Sequence, residues 1–181
     1  MDAQTNVTST GQKIRTVDIT VTAAMAALVF LGTYIFKIPT TSGYVHLGDC
    51  MILLTVALFG MKKGAIAGAI GGGLSDFIGG YFYWVVPTLL IKCMWAIVMG
   101  LIMHKVLKDK KGSFLIGAIA GGVLHIIAYT LVRVVLYGGK TAIIEIPALA
   151  FQTGAGIVIG FVIYMLLKKS GVAGRLSGMV K

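Results

Sequence analysis

Acidic side chains are almost missing from this chain: Asp and Glu supply six of its 181 residues, and all charged types together only 12%. Soluble domains carry about 25% charge, so a water-bathed surface over the whole chain is excluded. Proline occurs three times, which leaves long apolar runs unbroken. Cysteine occurs twice, at Cys50 and Cys93, inside apolar runs and at no metal or redox spacing. A disulfide framework and a thiolate metal site are thereby excluded, and both read as small packing residues. No GxxxxGK[ST] phosphate loop is present, so nucleotide hydrolysis by that chemistry must occur on other chains.

What is present is apolar. Hydrophobic residues make up 57% of the chain and the mean hydropathy is +0.94. That composition describes an integral membrane protein. Runs of about 20 apolar residues cross a hydrocarbon core of about 30 Å as helices. Five good runs occur, at Val17–Phe36, Gly64–Gly80, Trp84–Met103, Phe114–Tyr137 and Ile143–Leu167, with Leu47–Gly60 as a short sixth. The expectation is an all-α, six-helix transmembrane bundle forming one domain over residues 1–181, with 1–15 as a flexible cytoplasmic tail. Ala24-Met25-Ala26 mimics a signal-cleavage site, but the first run is too long for a signal-peptide core and reads as a retained helix.

The net charge of +10 is explained by where the cations fall. With six spans and the N-terminus inside, Lys13, Arg15, Lys62, Lys63, Lys105, Lys108, Lys110, Lys111, Lys168, Lys169, Arg175 and Lys181 collect on the cytoplasmic side. Only Lys37 and Lys140 stay outside. This positive-inside asymmetry puts both termini in the cytoplasm and requires no nucleic-acid partner. A model in which 47–60 fails to cross and the N-terminus lies outside gives eleven to three, but Lys13 and Arg15 set against Lys37 across the first helix favour the first arrangement.

Gly64, Gly68 and Gly72 recur every four residues in the third span, the spacing that lets helices approach closely in lipid. Polar residues inside the spans are few. Lys92 lies about 12 Å from the outer end of the fourth span, at about 1.5 Å of rise per residue. Trp95 follows it by three residues, as core or as a stacking platform. His125, Tyr129 and Arg133 repeat every four residues and share one face of the fifth span, while Glu145 and Gln152 share a face of the sixth. Asp76 lies a turn from the outer end of the third.

All of these groups fall in the outer half or at the midplane. Charges there are costly, so they face a bundle interior or a wet cavity. A cavity open to the outside accounts for their one-sided distribution, and Lys92 is expected to line it. The other reading pairs Lys92 and Arg133 with Glu145 and Asp76 as packing bridges. His104 reads as a solvated interfacial residue, and Tyr81, Phe82, Tyr83 and Trp84 as an aromatic belt. The first external loop, KIPTTSGYVHLGD, carries His46 and Asp49 three residues apart with no third ligand nearby. It suits gating of a ligand better than catalysis or metal binding. No catalytic set, resident metal or cofactor is expected.

The Ala-rich first helix TAAMAAL, with Ala23 and Ala27 at AxxxA spacing, is followed in order by GYVHLGDCMILLTVALFG, GAIAGAIGGGLSD and VVPTLLIK. This succession resembles the substrate-binding S components of energy-coupling factor (ECF) vitamin importers, over nearly the whole chain. The resemblance implies capture of one water-soluble vitamin in an outer-half pocket built from the first loop and helices 4 to 6. It also implies docking, through the Ala23 and Ala27 face, on a transmembrane T subunit with two ATP-binding subunits beneath, and import by toppling of the S component. The nearest likeness is to the hydroxymethylpyrimidine or pyridoxine branch, and riboflavin relatives share the same motifs. Lys92, Trp95, His125, Tyr129, Arg133, Glu145, Gln152, Asp76 and His46 are the candidate binding residues. The rival is a self-contained proton-coupled secondary transporter using Asp76, Glu145 and His125, although the inner halves offer no titratable relay.

Overall fold

In lipid a backbone finds no water to bond, so apolar segments close their hydrogen bonds internally as helices. The computed structural model describes residues 15–41 and 43–180; the expected tail, except Arg15, lies outside them. Helix α1 runs Thr16–Tyr34, α2 Asp49–Phe59, α3 Met61–Ile78, α4 Phe82–Gly100, α5 Ser113–Tyr137, α6 Gly139–Lys169 and α7 Val172–Gly178. A π-helical segment, Leu101–Val106, continues α4. Among the described residues, four helices are long and apolar enough to cross a membrane: α1, α4 with its π extension, α5 and α6. The chain is a helical membrane protein, and exposed side chains such as Val135, Leu131 and Ile144 clothe its outside.

Several expectations need correction. The all-α expectation misses a two-stranded antiparallel hairpin, β1 Ile38–Thr40 with β2 Gly43–Val45, in which Tyr44 stands opposite Pro39. Three-residue strands are too short to leave an alternating pattern. The helix α7 was not anticipated either. The short span is an 11-residue helix, about 16 Å long, roughly half of a hydrocarbon core. His46, just after β2, and Asp49, the first residue of α2, are both buried, so α2 starts inside the bundle rather than at its surface.

One residue, Gly60, separates α2 from α3, and its φ of 92° is a conformation that L side chains rarely adopt. Gly138, with φ 84°, makes the same turn between α5 and α6. From Gly60 the two helices run back along each other. A methyl group on Gly68 would stand 3.0 Å from Ile52 Cγ2. The expected stripe is in fact shared among neighbours, since Gly64 and Gly68 face Val56 and Ile52 of α2 whereas Gly72 abuts Thr88 of α4, and Gly71, outside the stripe, abuts Val29 of α1. Helix α3 therefore packs without side chains against α1, α2 and α4.

His104 is not the solvated residue expected. Its Nε2 lies 3.0 Å from the Val56 carbonyl and its Nδ1 2.9 Å from Asp109 Oδ1. The ring thereby ties the π segment to the last turns of α2.

The interior is layered. A large apolar cluster includes Val29, Ile52, Leu53, Val56, Trp95, Met99, Met103 and Phe114. A small one at the hairpin end gathers Trp84, Ile91, Tyr129 and Leu149. Asp49, Lys92, His125 and Gln152 are buried between them.

Candidate ligand-binding site

Helix periodicity places the polar layer. Thr88 and Lys92 are one turn apart on α4, His125, Tyr129 and Arg133 are successive turns of α5, and Gln152 and Thr153 adjoin on α6. The start of α2 brings Asp49 into their midst. Lys92 Nζ lies 2.5 Å from Asp49 Oδ1, with 1% and 0% of the two side chains exposed. The other Asp49 oxygen accepts from Gln152 Nε2 at 2.7 Å. Neither Glu145 nor Asp76, the partners considered from sequence, holds Lys92.

Donor and acceptor roles in this layer follow from its geometry. The ammonium can only donate, so at 3.0 Å it makes His125 Nε2 an acceptor. The proton of His125 then sits on Nδ1 and is donated to Thr153 Oγ1 at 3.1 Å, while Thr153 donates to the Leu149 carbonyl. The layer is a satisfied, neutral unit. Trp95, fully buried, packs against His125 with ring centroids 4.3 Å apart and donates from Nε1 to the Ala118 carbonyl.

Above this layer, toward the hairpin, lies a narrow cleft open to solvent, with a cavity volume of about 30 Å³. Of the nine residues singled out from sequence, His46, Asp76, Tyr129, Arg133 and Gln152 line it; Lys92, Trp95, His125 and Glu145 do not. Lys92 and His125 lie beneath its floor. Glu145 stands behind Arg133, its Oε2 3.9 Å from Nη2. The lining adds Thr33, Tyr44, Tyr81, Trp84, Thr88 and Leu149, which the sequence reading did not assign. The expected aromatic belt is split accordingly: Tyr83 is 81% exposed, whereas Trp84 is 5% exposed and faces the cleft. Trp84 stacks on Tyr129 at 5.5 Å, and its indole N–H donates to the Tyr137 hydroxyl.

The cleft holds unspent hydrogen-bonding capacity. Arg133 Nε and Nη1, Asp76 Oδ2 and Thr33 Oγ1 are buried without a partner among the described residues. Buried polar atoms are ordinarily paired, so such a cluster facing one cleft suits a ligand. His46 adds a donor. Its Nδ1 accepts from the Gly48 N–H at 3.2 Å, which puts the ring proton on Nε2. That Nε2 faces only the Gln152 amide nitrogen, at 3.4 Å. The amide is already oriented by donating to Asp49 and accepting from the His46 N–H. Two donors cannot satisfy each other, so the imidazole N–H is available to a ligand. Burial pushes the His46 pKa down to about 4, outweighing the pull of Asp49, and the ring is neutral at physiological pH.

At the mouth, Lys37 Nζ donates to the Ser75 carbonyl at 3.3 Å and stands 4.5, 4.4 and 5.5 Å from the ring centres of Tyr34, Tyr44 and Tyr81. Burial lowers its pKa, and the Asp76 carboxylate opposes that shift. The Tyr44 hydroxyl donates to Asp76 Oδ1 at 2.5 Å. Burial first and the Asp76 charge second hold the phenol proton tightly. Among the described residues no group of three or more His, Cys, Asp or Glu side chains could hold a metal ion.

Residues 13–169 match the family model of the ECF-type riboflavin transporter S component. The chain belongs to this family. A Pyrococcus woesei protein described as "Uncharacterized protein in gap 3'region" is 36% identical over 132 residues, 73% of this chain and 87% of that one. ECF S components are multi-pass proteins of the cytoplasmic membrane that bind a vitamin, associate with T and ATPase subunits, and are not catalytic. The hydroxymethylpyrimidine or pyridoxine branch expected from sequence finds no support, because the matching family is named for riboflavin.

Proposed function

We propose that this S component captures riboflavin in the cleft between the hairpin and α3 to α6. The observation that carries the reading is the unspent polarity of Arg133 and Asp76 beside the aromatic rings of Trp84, Tyr129, Tyr44 and Tyr81. An isoalloxazine ring has a flat face for stacking, carbonyl oxygens for a guanidinium and an imide N–H for a carboxylate. Ribityl hydroxyls can use Thr33 and the His46 N–H. Charge supports the same choice. Lys92 with Asp49, Arg133 with Glu145, and Lys37 near Asp76 balance in sign, so the site offers no surplus charge to a phosphorylated, carboxylated or cationic vitamin. Riboflavin is uncharged.

In this reading the α2–α3 hairpin completes a six-span domain with both termini cytoplasmic. Ala23 and Ala27 are exposed on α1, beside the face that buries Ala26, Val29 and Thr33, and meet the T subunit there. ATP is hydrolysed by partner subunits.

The test is titration of the detergent-purified chain with riboflavin, following the loss of flavin fluorescence, against hydroxymethylpyrimidine, pyridoxine and flavin mononucleotide. Saturable, stoichiometric riboflavin binding with at least about tenfold weaker binding of the other three, about 1.4 kcal/mol, is expected. Tighter binding of hydroxymethylpyrimidine or pyridoxine overturns the substrate. Gradient-driven uptake by vesicles holding this chain alone overturns the ECF mechanism in favour of a secondary transporter.

A further inference from the structure

The last turns of α6 form a second concavity, remote from the cleft: Lys168 lies about 24 Å beyond Gln152 along the helix axis. Phe161, Val162, Met165, Leu166, Lys168 and Lys169 line a groove of about 410 Å³ whose wall is almost wholly apolar. The two lysines lend it their stems, which sets their ammonium groups at its rim. Behind the groove the packing is aromatic. Phe114 of α5 lies 5.7 Å from Phe161 and stacks on Tyr164 at 5.1 Å, and Lys168 Nζ stands 5.8 Å from the centre of the Tyr164 ring.

Charge at this end is of one sign. From Thr153 to Lys181 the chain has no acid, and its cations are Lys168, Lys169, Arg175 and Lys181. Among the described residues neither Lys168 nor Lys169 is in an ion pair, and Asp109, in the loop before α5, already engages His104. We propose that the groove holds an acyl chain of an anionic membrane phospholipid whose phosphate is met by Lys168 and Lys169. An exposed apolar face in a bilayer is covered by lipid or by another helix. Helices approach each other in lipid over small residues, and the stretch from Phe161 to Lys169 contains no Gly, Ala, Ser or Thr. A free phosphate would find the lysines but leave the apolar wall bare. A zwitterionic headgroup would bring no net charge to the two cations. Length agrees as well, since Phe161 to Lys169 spans about 12 Å of helix against about 15 Å for half of a hydrocarbon core.

The test is native mass spectrometry of the full chain in detergent, titrated with phosphatidylglycerol or with phosphatidylcholine of the same acyl chains. The first phosphatidylglycerol is expected to bind at least about fivefold more tightly than phosphatidylcholine, and Lys168→Gln with Lys169→Gln to abolish that preference. Lys110→Gln with Lys111→Gln removes the same charge outside the groove and should leave the preference within about twofold. Leu166→Gln should weaken both lipids by about two- to fivefold, because they share the apolar wall. Equal affinity for the two lipids, or an equal loss in the Lys110 and Lys111 variant, overturns the site and leaves only diffuse attraction. Displacement of phosphatidylglycerol by inorganic phosphate, with no effect of Leu166→Gln, overturns it in favour of a free anion. A dimer that Leu166→Gln dissociates overturns it by giving the face to a second copy of the chain.

Discussion

Lys92 and Asp49, 43 residues apart in the chain, form a buried ion pair that fixes the first turn of a half-length helix to the middle of α4. Removing one partner leaves the other charged and uncompensated, which costs about 3–5 kcal/mol, whereas replacing both with apolar residues of similar volume is often neutral. Lys92→Met or Asp49→Leu alone should therefore lower the melting temperature in detergent sharply. The double variant should recover most of the loss. If Lys92→Met melts like the wild type, the pair does not hold the fold.

Arg133 presents two unpartnered nitrogens to the cleft and lies over Trp84, 5.4 Å from its ring. Arg133→Gln should weaken riboflavin binding by about 1–3 kcal/mol, roughly 5- to 150-fold, mainly through faster dissociation. Melting of the empty protein should also fall, because Glu145 is left buried without its cation, so the loss of binding is read at a temperature where both proteins are folded. Equilibrium titration with a parallel melt checks both.

His46 gives the site a pH dependence. Its pKa is about 4 in the folded chain against 6.5 unfolded, so between those values the unfolded state binds the extra proton. Stability falls as pH drops from about 6.5 toward 4, by up to ~3 kcal/mol from this residue, and is flat above. His46→Gln should flatten that part of the profile. Melting curves from pH 4 to 8 for both proteins make the comparison, and an unaltered slope in the variant would show that other groups govern it.

Close packing of α2 on α3 supplies a fourth expectation. Gly68→Ala puts a methyl 3.0 Å from Ile52 Cγ2, in a core where small enlargements cost about 1–3 kcal/mol. Ile52→Ala in the same chain makes room for it. The double variant should melt higher than adding the two single effects predicts, and the double-mutant cycle should show favourable coupling.

Ala23→Trp with Ala27→Trp tests the docking face. Both alanines are exposed and neither touches the cleft. Copurification with a T subunit and ATP-dependent uptake should be lost, while riboflavin affinity of the isolated chain stays within about threefold, because bulk on a small-residue face blocks close helix approach. Uptake that survives both substitutions would place the docking face elsewhere.

Much of this arrangement was legible along single helices. The four-residue recurrence of His125, Tyr129 and Arg133 gave their common face, and burial of all three follows it. The same arithmetic on α4 would have placed Trp84 with Thr88 and Lys92 in the interior instead of in an aromatic belt. What periodicity could not supply was which helices meet. Asp49 reaches Lys92 only because the chain after β2 enters the bundle and starts α2 at mid-depth, a tertiary event with no local signature. Tyr44 is hidden for the same reason. A three-residue strand carries too little pattern to show that its side chain returns to Asp76, 32 positions later.

The balanced interior has an electrical consequence. Each unpaired elementary charge carried across the membrane potential would add or remove about 2.3 kcal/mol per 100 mV. Lys92 stands against Asp49 and Arg133 against Glu145, and the proposed ligand is uncharged. Capture, and any later reorientation of the bundle with its cargo, should then move almost no net charge through the field. Depolarising the cell would leave the affinity of the site unchanged, and the voltage across the membrane would give the bound ligand no direction. The bias toward the cytoplasm has to be supplied chemically, by the subunits that hydrolyse ATP.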